Sequence, residues 1–251
     1  MPPAGRAVLV TGASRGIGAA TARAFADGGD RVAVHYGASR RQAEAVLASL
    51  PGHGHVAVGA ELADPEAVRA MVSQAADALG SIDVLVNNAG IFDPPHPIRA
   101  TSYEAWQHAW TRTLAINLTG AANVTWCAVR HMGQGGRIVF VTSRGAFRGE
   151  PDHPAYGASK AGMVSLAQSL ARALGPQGIA VTAVAPGLVE TDMAVGALEG
   201  EAGARRRAES PFGRVSRPAE VAAAVRYLAS PEAEMASGSV IDVNGASFLR
   251  M

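Results

Sequence analysis

The sequence predicts an α/β fold in which seven parallel strands form one sheet with helices on both faces. Three observations predict it. Short runs of Val, Ile and Leu alternate with longer segments of helical periodicity from end to end. The short runs are continuously apolar rather than alternating, as strands buried on both faces require. No linker, repeat or low-complexity tract interrupts the alternation, so a single domain spanning residues 1–251 is expected. Strands that alternate with helices imply right-handed crossovers, and hence a doubly wound sheet.

The elements follow in order. Ala7–Val10 reads as the first strand and Ile17–Ala26 as the first helix. Val32–Val34 precedes a helix over Arg40–Leu50, and His55–Val58 precedes one over Pro65–Leu79. After Val84–Val86, the Pro-rich stretch Pro94–Pro97 is a loop, and a single long helix is expected over Tyr103–Met132. Arg137–Val141 leads into a helix over Tyr156–Leu174. Ile179–Val184 leads into helices over Met193–Ala208 and Pro218–Leu228, and Val240–Val243 closes the series.

Composition excludes several functions. The 22 basic and 21 acidic residues leave a net charge of +1, too little to neutralise many phosphates, so nucleic acid is not an expected partner. A hydrophobic content of 48% supports a core. No apolar run reaches the ~18 residues that cross a bilayer. The opening Met1–Arg6 carries no apolar leader core, so no secretory signal is expected. The lone Cys127 makes neither an internal disulfide nor a Cys-based metal cluster. A cytoplasmic location is the expectation. Of the 22 basic residues, 21 are Arg and one, Lys160, is Lys, which singles that position out.

Thr11-Gly12-Ala13-Ser14-Arg15-Gly16-Ile17-Gly18 follows the first strand and opens the first helix. Glycine permits positive φ and close backbone approach, and the helix N-terminus favours an anion. The natural ligand is the diphosphate of a dinucleotide, although the Gly-x3-Gly-x-Gly spacing differs from the GxGxxG of classical dinucleotide-binding proteins.

With this loop, Asn87-Asn88-Ala89-Gly90, Ser143, Tyr156-x3-Lys160 and Pro186-Gly187, the sequence resembles the classical short-chain dehydrogenase/reductase family from about Arg6 to Asn244. Within it, the general appearance is similar to 3-oxoacyl-acyl-carrier-protein reductases. The resemblance implies a Rossmann-type sheet and a nicotinamide cofactor bound at its carboxyl edge.

Proteins that prefer NAD carry an acidic residue at the end of the second strand. Here that strand runs into His35-Tyr36-Gly37-Ala38-Ser39-Arg40-Arg41, with no carboxylate. Arg15 lies in the glycine loop, and an arginine fork suits a 2′-phosphate. NADP(H) is therefore expected, with Arg15, Ser39 and Arg40 at the adenosine end. By resemblance, Gly12, Ser14, Gly16, Ile17 and Gly18 cradle the diphosphate. Glu61 and Leu62 stand where the family meets adenine, Asn88, Ala89 and Gly90 meet the ribose, and Pro186, Gly187, Val189 and Thr191 hold the nicotinamide side.

Tyr156 and Lys160 fall four apart on one helix face. A phenol titrates near 10 in water, and a cation within ~5 Å stabilises the phenolate. Lowering it by ~2 units requires ~2.7 kcal/mol. Lys160 is therefore expected to lower the Tyr156 pKa. The resemblance implies that Ser143 positions a carbonyl, Tyr156 transfers the proton, Lys160 also holds the nicotinamide ribose, and Asn117 supports a water relay to the lysine. The cofactor carries the hydride.

Other features read as structural. Arg205–Arg207 forms a solvated helix face, His96 and His153 are polar loop residues near the site, and the seven His show no metal-ligand spacing. Trp106 and Trp110 share a helix face. The helices over Tyr103–Met132 and Tyr156–Leu174 are apolar on more than one face; in the resembled family these helices form dimer and tetramer contacts, so the resemblance implies a homotetramer. The leading function is an NADP(H)-dependent oxidoreductase acting on a small ketone or secondary alcohol, with a 3-oxoacyl thioester as one candidate. The uncharged turns Gly133–Gly136 and Pro176–Gly178 disfavour an acyl carrier protein as partner. A substrate loop is expected over about 190–217. The alternative is a non-catalytic NADP-binding sensor or scaffold on the same fold, and retention of Ser143, Tyr156 and Lys160 weighs against it. An extended-type epimerase or dehydratase would need a longer C-terminal region.

Overall fold

The computed structural model describes residues 5–194 and 196–250. Residues 1–4, part of the stretch read for a leader, and Val195, inside the helix expected over Met193–Ala208, lie outside the described residues.

The strands are β1 (Ala7–Val10), β2 (Arg31–Tyr36), β3 (Val56–Gly59), β4 (Val84–Asn87), β5 (Arg137–Val141), β6 (Ala180–Pro186) and β7 (Val240–Val243). Among the described residues these pair, all parallel, into one seven-stranded sheet in the order β3-β2-β1-β4-β5-β6-β7. The helices are α1 (Gly16–Asp27), α2 (Arg40–Ser49), α3 (Pro65–Leu79), α4 (Tyr103–Leu114), α5 (Ala121–Ala128), α6 (Gly145–Arg148), α7 (Pro154–Leu174), α8 (Gly200–Ala208) and α9 (Pro218–Leu228).

Successive side chains of a strand face opposite ways, and each face of this sheet has its own core. Leu9, Leu85, Ile138 and Phe140 pack with Met71 of α3, Val124 of α5 and Met163 of α7. Val10, Val86, Val139 and Val141 pack with Phe25 of α1 and Val221 and Val225 of α9. That is why the strands read as unbroken apolar runs. Each fully buried Leu or Phe contributes ~1.5–3 kcal/mol. The strand order reverses between β1 and β4, and a crevice opens at their carboxyl ends.

Two helices differ from expectation. The stretch Tyr103–Met132 is one helical run to His131, but not α throughout: a π-helical turn, Ala115–Gly120, joins α4 to α5, and a 3-10 turn, Val129–His131, ends it. The π turn carries Asn117, whose side chain serves the Ile91 backbone, a tertiary demand that apolar periodicity does not register. The stretch expected as a helix from Met193 begins instead with 3-10 turns at Asp192–Ala194 and Gly196–Leu198, and α8 starts only at Gly200. Gly200, at φ 56, breaks the run.

Candidate active site

The glycine loop is locked by its neighbours. Thr11 Oγ1 accepts from the amides of Asn88 and Ala89, both at 3.0 Å. Asn88 Nδ2 donates to the carbonyls of Thr11 and Gly12 at 2.8 and 3.1 Å. Gly12 sits at φ 63, and a Cβ there would lie 2.8 Å from Ala89 Cα. A Cβ on Gly18 would lie 2.5 Å from Asn88 Nδ2. No side chain caps the first turn of α1 among the described residues, so its orphan amides remain for a ligand. Gly16, Ile17 and Gly18 line a cavity of about 730 Å³ that continues along the sheet edge. Such a cradle fits a dinucleotide diphosphate.

His35, near the end of β2, was not singled out by the sequence as a site residue. Its Nδ1 accepts from the Gly12 amide at 3.0 Å, and its Nε2 faces the Ala60 carbonyl at 3.1 Å. Only the neutral tautomer with hydrogen on Nε2 satisfies both. Burial lowers its pKa to about 4, although the Ala60 bond and the Glu61 charge oppose the shift.

At the adenosine end, Ser14, Arg15, Ser39, Glu61 and Leu62 all line the cavity. Arg40 does not. Its Nε pairs with Glu44 Oε1 at 2.8 Å, one turn along α2, and its side chain is 74% exposed. The ribose and nicotinamide residues Asn88, Ala89, Gly90, Pro186, Gly187, Val189 and Thr191 line the same cavity.

Ser143, Tyr156 and Lys160 converge beside them. Ser143 follows β5, and its Oγ accepts from the Gly145 amide at 3.0 Å. Tyr156 is in the first turn of α7, which Pro154 opens. Burial pushes the Tyr156 phenol up to about 12, while a hydrogen bond with Ser143 pulls it back. Lys160 Nζ donates to the Val141 carbonyl at 3.0 Å and lies 5.7 Å from the Tyr156 ring centre. Burial lowers the Lys160 pKa to about 8. The lowered phenol pKa expected from the sequence is therefore not the resting condition of the site, because desolvation outweighs every opposing influence.

Asn117 is fully buried and lies behind the cavity wall. Its Oδ1 accepts from the Ile91 amide at 2.8 Å, and its Nδ2 donates to the Ile91 carbonyl at 3.0 Å and to Ser159 Oγ at 3.2 Å. It thereby fixes the chain just past Gly90. Phe92 stacks on His153 at 3.9 Å and meets Tyr156 edge-on at 4.9 Å. His153 thus forms a wall of the site, whereas His96 is buried behind it. Trp106 and Trp110 do share a face, 5.6 Å apart. Arg205 is 76% exposed, but Arg206 lines the cavity. Among the described residues, no group of His, Cys, Asp or Glu suits a metal ion.

Residues 12–246 match the family model described as enoyl-(acyl carrier protein) reductase. The chain is 39% identical to the cis-4-hydroxycyclohexanecarboxylate dehydrogenase of Sinomonas cyclohexanicum, over 96% of this chain and 95% of that one. This chain belongs to the classical short-chain dehydrogenase/reductase family. It is also 37% identical to 3-oxoacyl-[acyl-carrier-protein] reductase FabG of Staphylococcus aureus, over 97% of this chain and 98% of that one. A short-chain dehydrogenase of Burkholderia cenocepacia, crystallised with NADP, superposes with a TM-score of 0.87 at 37% identity, covering 96% of this chain and 97% of that one. The relatives named are dehydrogenases and reductases, which supports an oxidoreductase acting on CH–OH groups. Among the described residues, no helix is long and apolar enough to cross a membrane.

Proposed function

We propose that this chain is an NADP(H)-dependent carbonyl reductase that transfers hydride between nicotinamide and a small ketone or its secondary alcohol. The observation that carries the reading is the convergence of Ser143, Tyr156 and Lys160 in the cavity that the glycine cradle opens. Arg15 at the adenosine end, with no acid at the end of β2, supports NADP(H) over NAD(H).

The nicotinamide supplies or accepts the hydride, and this chain supplies the rest. Ser143 donates to the carbonyl oxygen and positions it against Tyr156. The Tyr156 phenol, held near 12, stays protonated at neutral pH and is poised to give its proton to an oxygen that gains charge. Lys160 would hold the nicotinamide ribose and, as a buried cation, stabilise the phenolate once formed. Asn117 holds the Ile91 backbone and Ser159, and so maintains the approach to Lys160.

A 3-oxoacyl thioester is the second reading, favoured by the likeness to the Staphylococcus reductase. Delivery by an acyl carrier protein has less support. The exposed Arg130, which precedes the uncharged turn Gly133–Gly136, stacks over the exposed Trp126 at 3.1 Å. A single-domain subunit in a homotetramer rests on the likeness to the family; on the outer surface of α5 Trp126 is 57% exposed, whereas α4 and α7 present mainly polar and small side chains. The deciding experiment is an NADPH-oxidation screen over ketones, sugars and acyl thioesters, repeated with Tyr156→Phe. Turnover that survives in that variant overturns the proton role, and NADPH binding without turnover of any carbonyl compound would favour a sensor.

A further inference from the structure

Arg144 is a buried cation that the proton chemistry does not use. It directly follows Ser143, is 6% exposed, and lines the cleft. Its Nη1 donates to Ser247 Oγ at 2.6 Å and lies 2.6 Å from Glu209 Oε2. Arg148, at the end of α6, brings Nη1 to 3.7 Å of the same carboxylate and Nε to 3.5 Å of Glu150. Glu209 is therefore held by two arginines of the wall that carries Ser143.

Glu209 caps the C-terminus of α8, where a carboxylate opposes the helix dipole. Three arginines, Arg205–Arg207, stand in the last turn beside it, and Arg144 and Arg148 reach it from the wall that carries Ser143. Arg206 and Glu209 both line the cleft, which places α8 across its mouth. Among the described residues, α8 and the chain after it have further attachments. Gly203 is its one buried residue among those described. Ser210 Oγ donates to the Gly245 carbonyl at 2.7 Å, and Arg207 Nη1 donates to Leu198 within the same segment.

We propose that Arg144 and Glu209, with Arg148 as a second arm, form an ionic latch that holds α8 over the substrate cleft. These are positioning residues. The latch sets how tightly substrate is retained and ties α8 to the strand end that presents Ser143. Its effect on substrate rests on the reductase reading above, whereas its mechanical role does not.

The test compares the intact protein with Glu209→Gln and Glu209→Asp in two assays. In the first, trypsin cleavage after Arg205–Arg207 is followed by mass spectrometry. Loss of one charge-assisted bond is expected to raise local opening, and hence cleavage there, by about tenfold in Glu209→Gln. Cleavage elsewhere stays unchanged, and Glu209→Asp falls between the two. In the second, KM for whichever carbonyl compound the screen returns rises by about tenfold in Glu209→Gln, with Kd for NADPH within about twofold of the parent. Unchanged cleavage at Arg205–Arg207 overturns the latch. Faster cleavage with an unchanged KM overturns its role toward substrate. If the parent reduces no carbonyl compound, the reductase reading fails while the trypsin assay still decides the latch. Should Glu209→Gln not fold, Arg148→Gln leaves Arg144 paired and is expected to show a smaller rise in both readouts; no rise overturns the latch.

Discussion

His35→Gln is expected to flatten the acid side of the stability profile. Glutamine can accept from the Gly12 amide and donate to the Ala60 carbonyl, as His35 does at 3.0 and 3.1 Å, yet it has no proton to gain. In the folded protein the His35 pKa is lowered from 6.5 to about 4. The folded state therefore binds fewer protons than the unfolded state between those values, and stability must fall as pH falls through that window. Above 6.5 both states are neutral and the linkage vanishes; below 4 both are charged and the loss is complete. At 1.36 kcal/mol per pH unit the full loss is about 3 kcal/mol. Because His35 is 1% exposed, solvent screening removes little of it. The assay is urea unfolding of both proteins at several pH values from 7 to 4. The two proteins differ only at position 35, so the difference between the two curves isolates His35. Its predicted sign is a parent that loses about 3 kcal/mol more than the variant on acidification. Parallel profiles would refute the assignment of a neutral, doubly bonded imidazole.

Three further outcomes are expected. Lys160→Arg replaces a compact buried ammonium with a larger fork beside Val141 and Met163, so kcat/KM should fall by about a hundredfold or more, read by steady-state kinetics. Gly18→Ala sets a methyl against Asn88 Nδ2 and the Gly12 carbonyl; fluorescence titration should show NADPH affinity down by about tenfold or more, and retained affinity would mean the loop yields easily. Arg15→Ala should narrow the preference for NADPH over NADH, measured as a ratio of Kd values, whereas Arg40→Ala should change it little because that side chain is turned to Glu44.

The features legible in the sequence are those whose partners are close in the chain. The glycine loop is a strand–turn–helix unit, and Tyr156 and Lys160 share one face of one helix, so each is compact in the chain, and their joint occurrence in the family's order is what singles them out. The seven apolar runs announce a sheet covered on both faces, and the structure places one core on each. Where the sequence misled, a competing local contact or a distant partner decided. Arg40 has Glu44 one turn away and pairs with it outside the cleft. The long helix over Tyr103–Met132 takes a π turn at Ala115–Gly120, where Asn117 meets Ile91, 26 residues back in the chain.

The sequence by itself determined the fold class, which rests on apolar patterning, and through its resemblance to the family it named the expected cofactor cradle and proton-transfer residues. Only the tertiary structure decided their electrostatic condition and their supports. Burial, which sums contacts from the whole fold, holds Tyr156 near 12 and Lys160 near 8. His35 takes its two partners from 23 and 25 residues away. The Arg144–Glu209 pair joins the end of β5 to α8. The lone lysine was conspicuous in the sequence, but the desolvation that sets its charge exists only in the packed interior around α7.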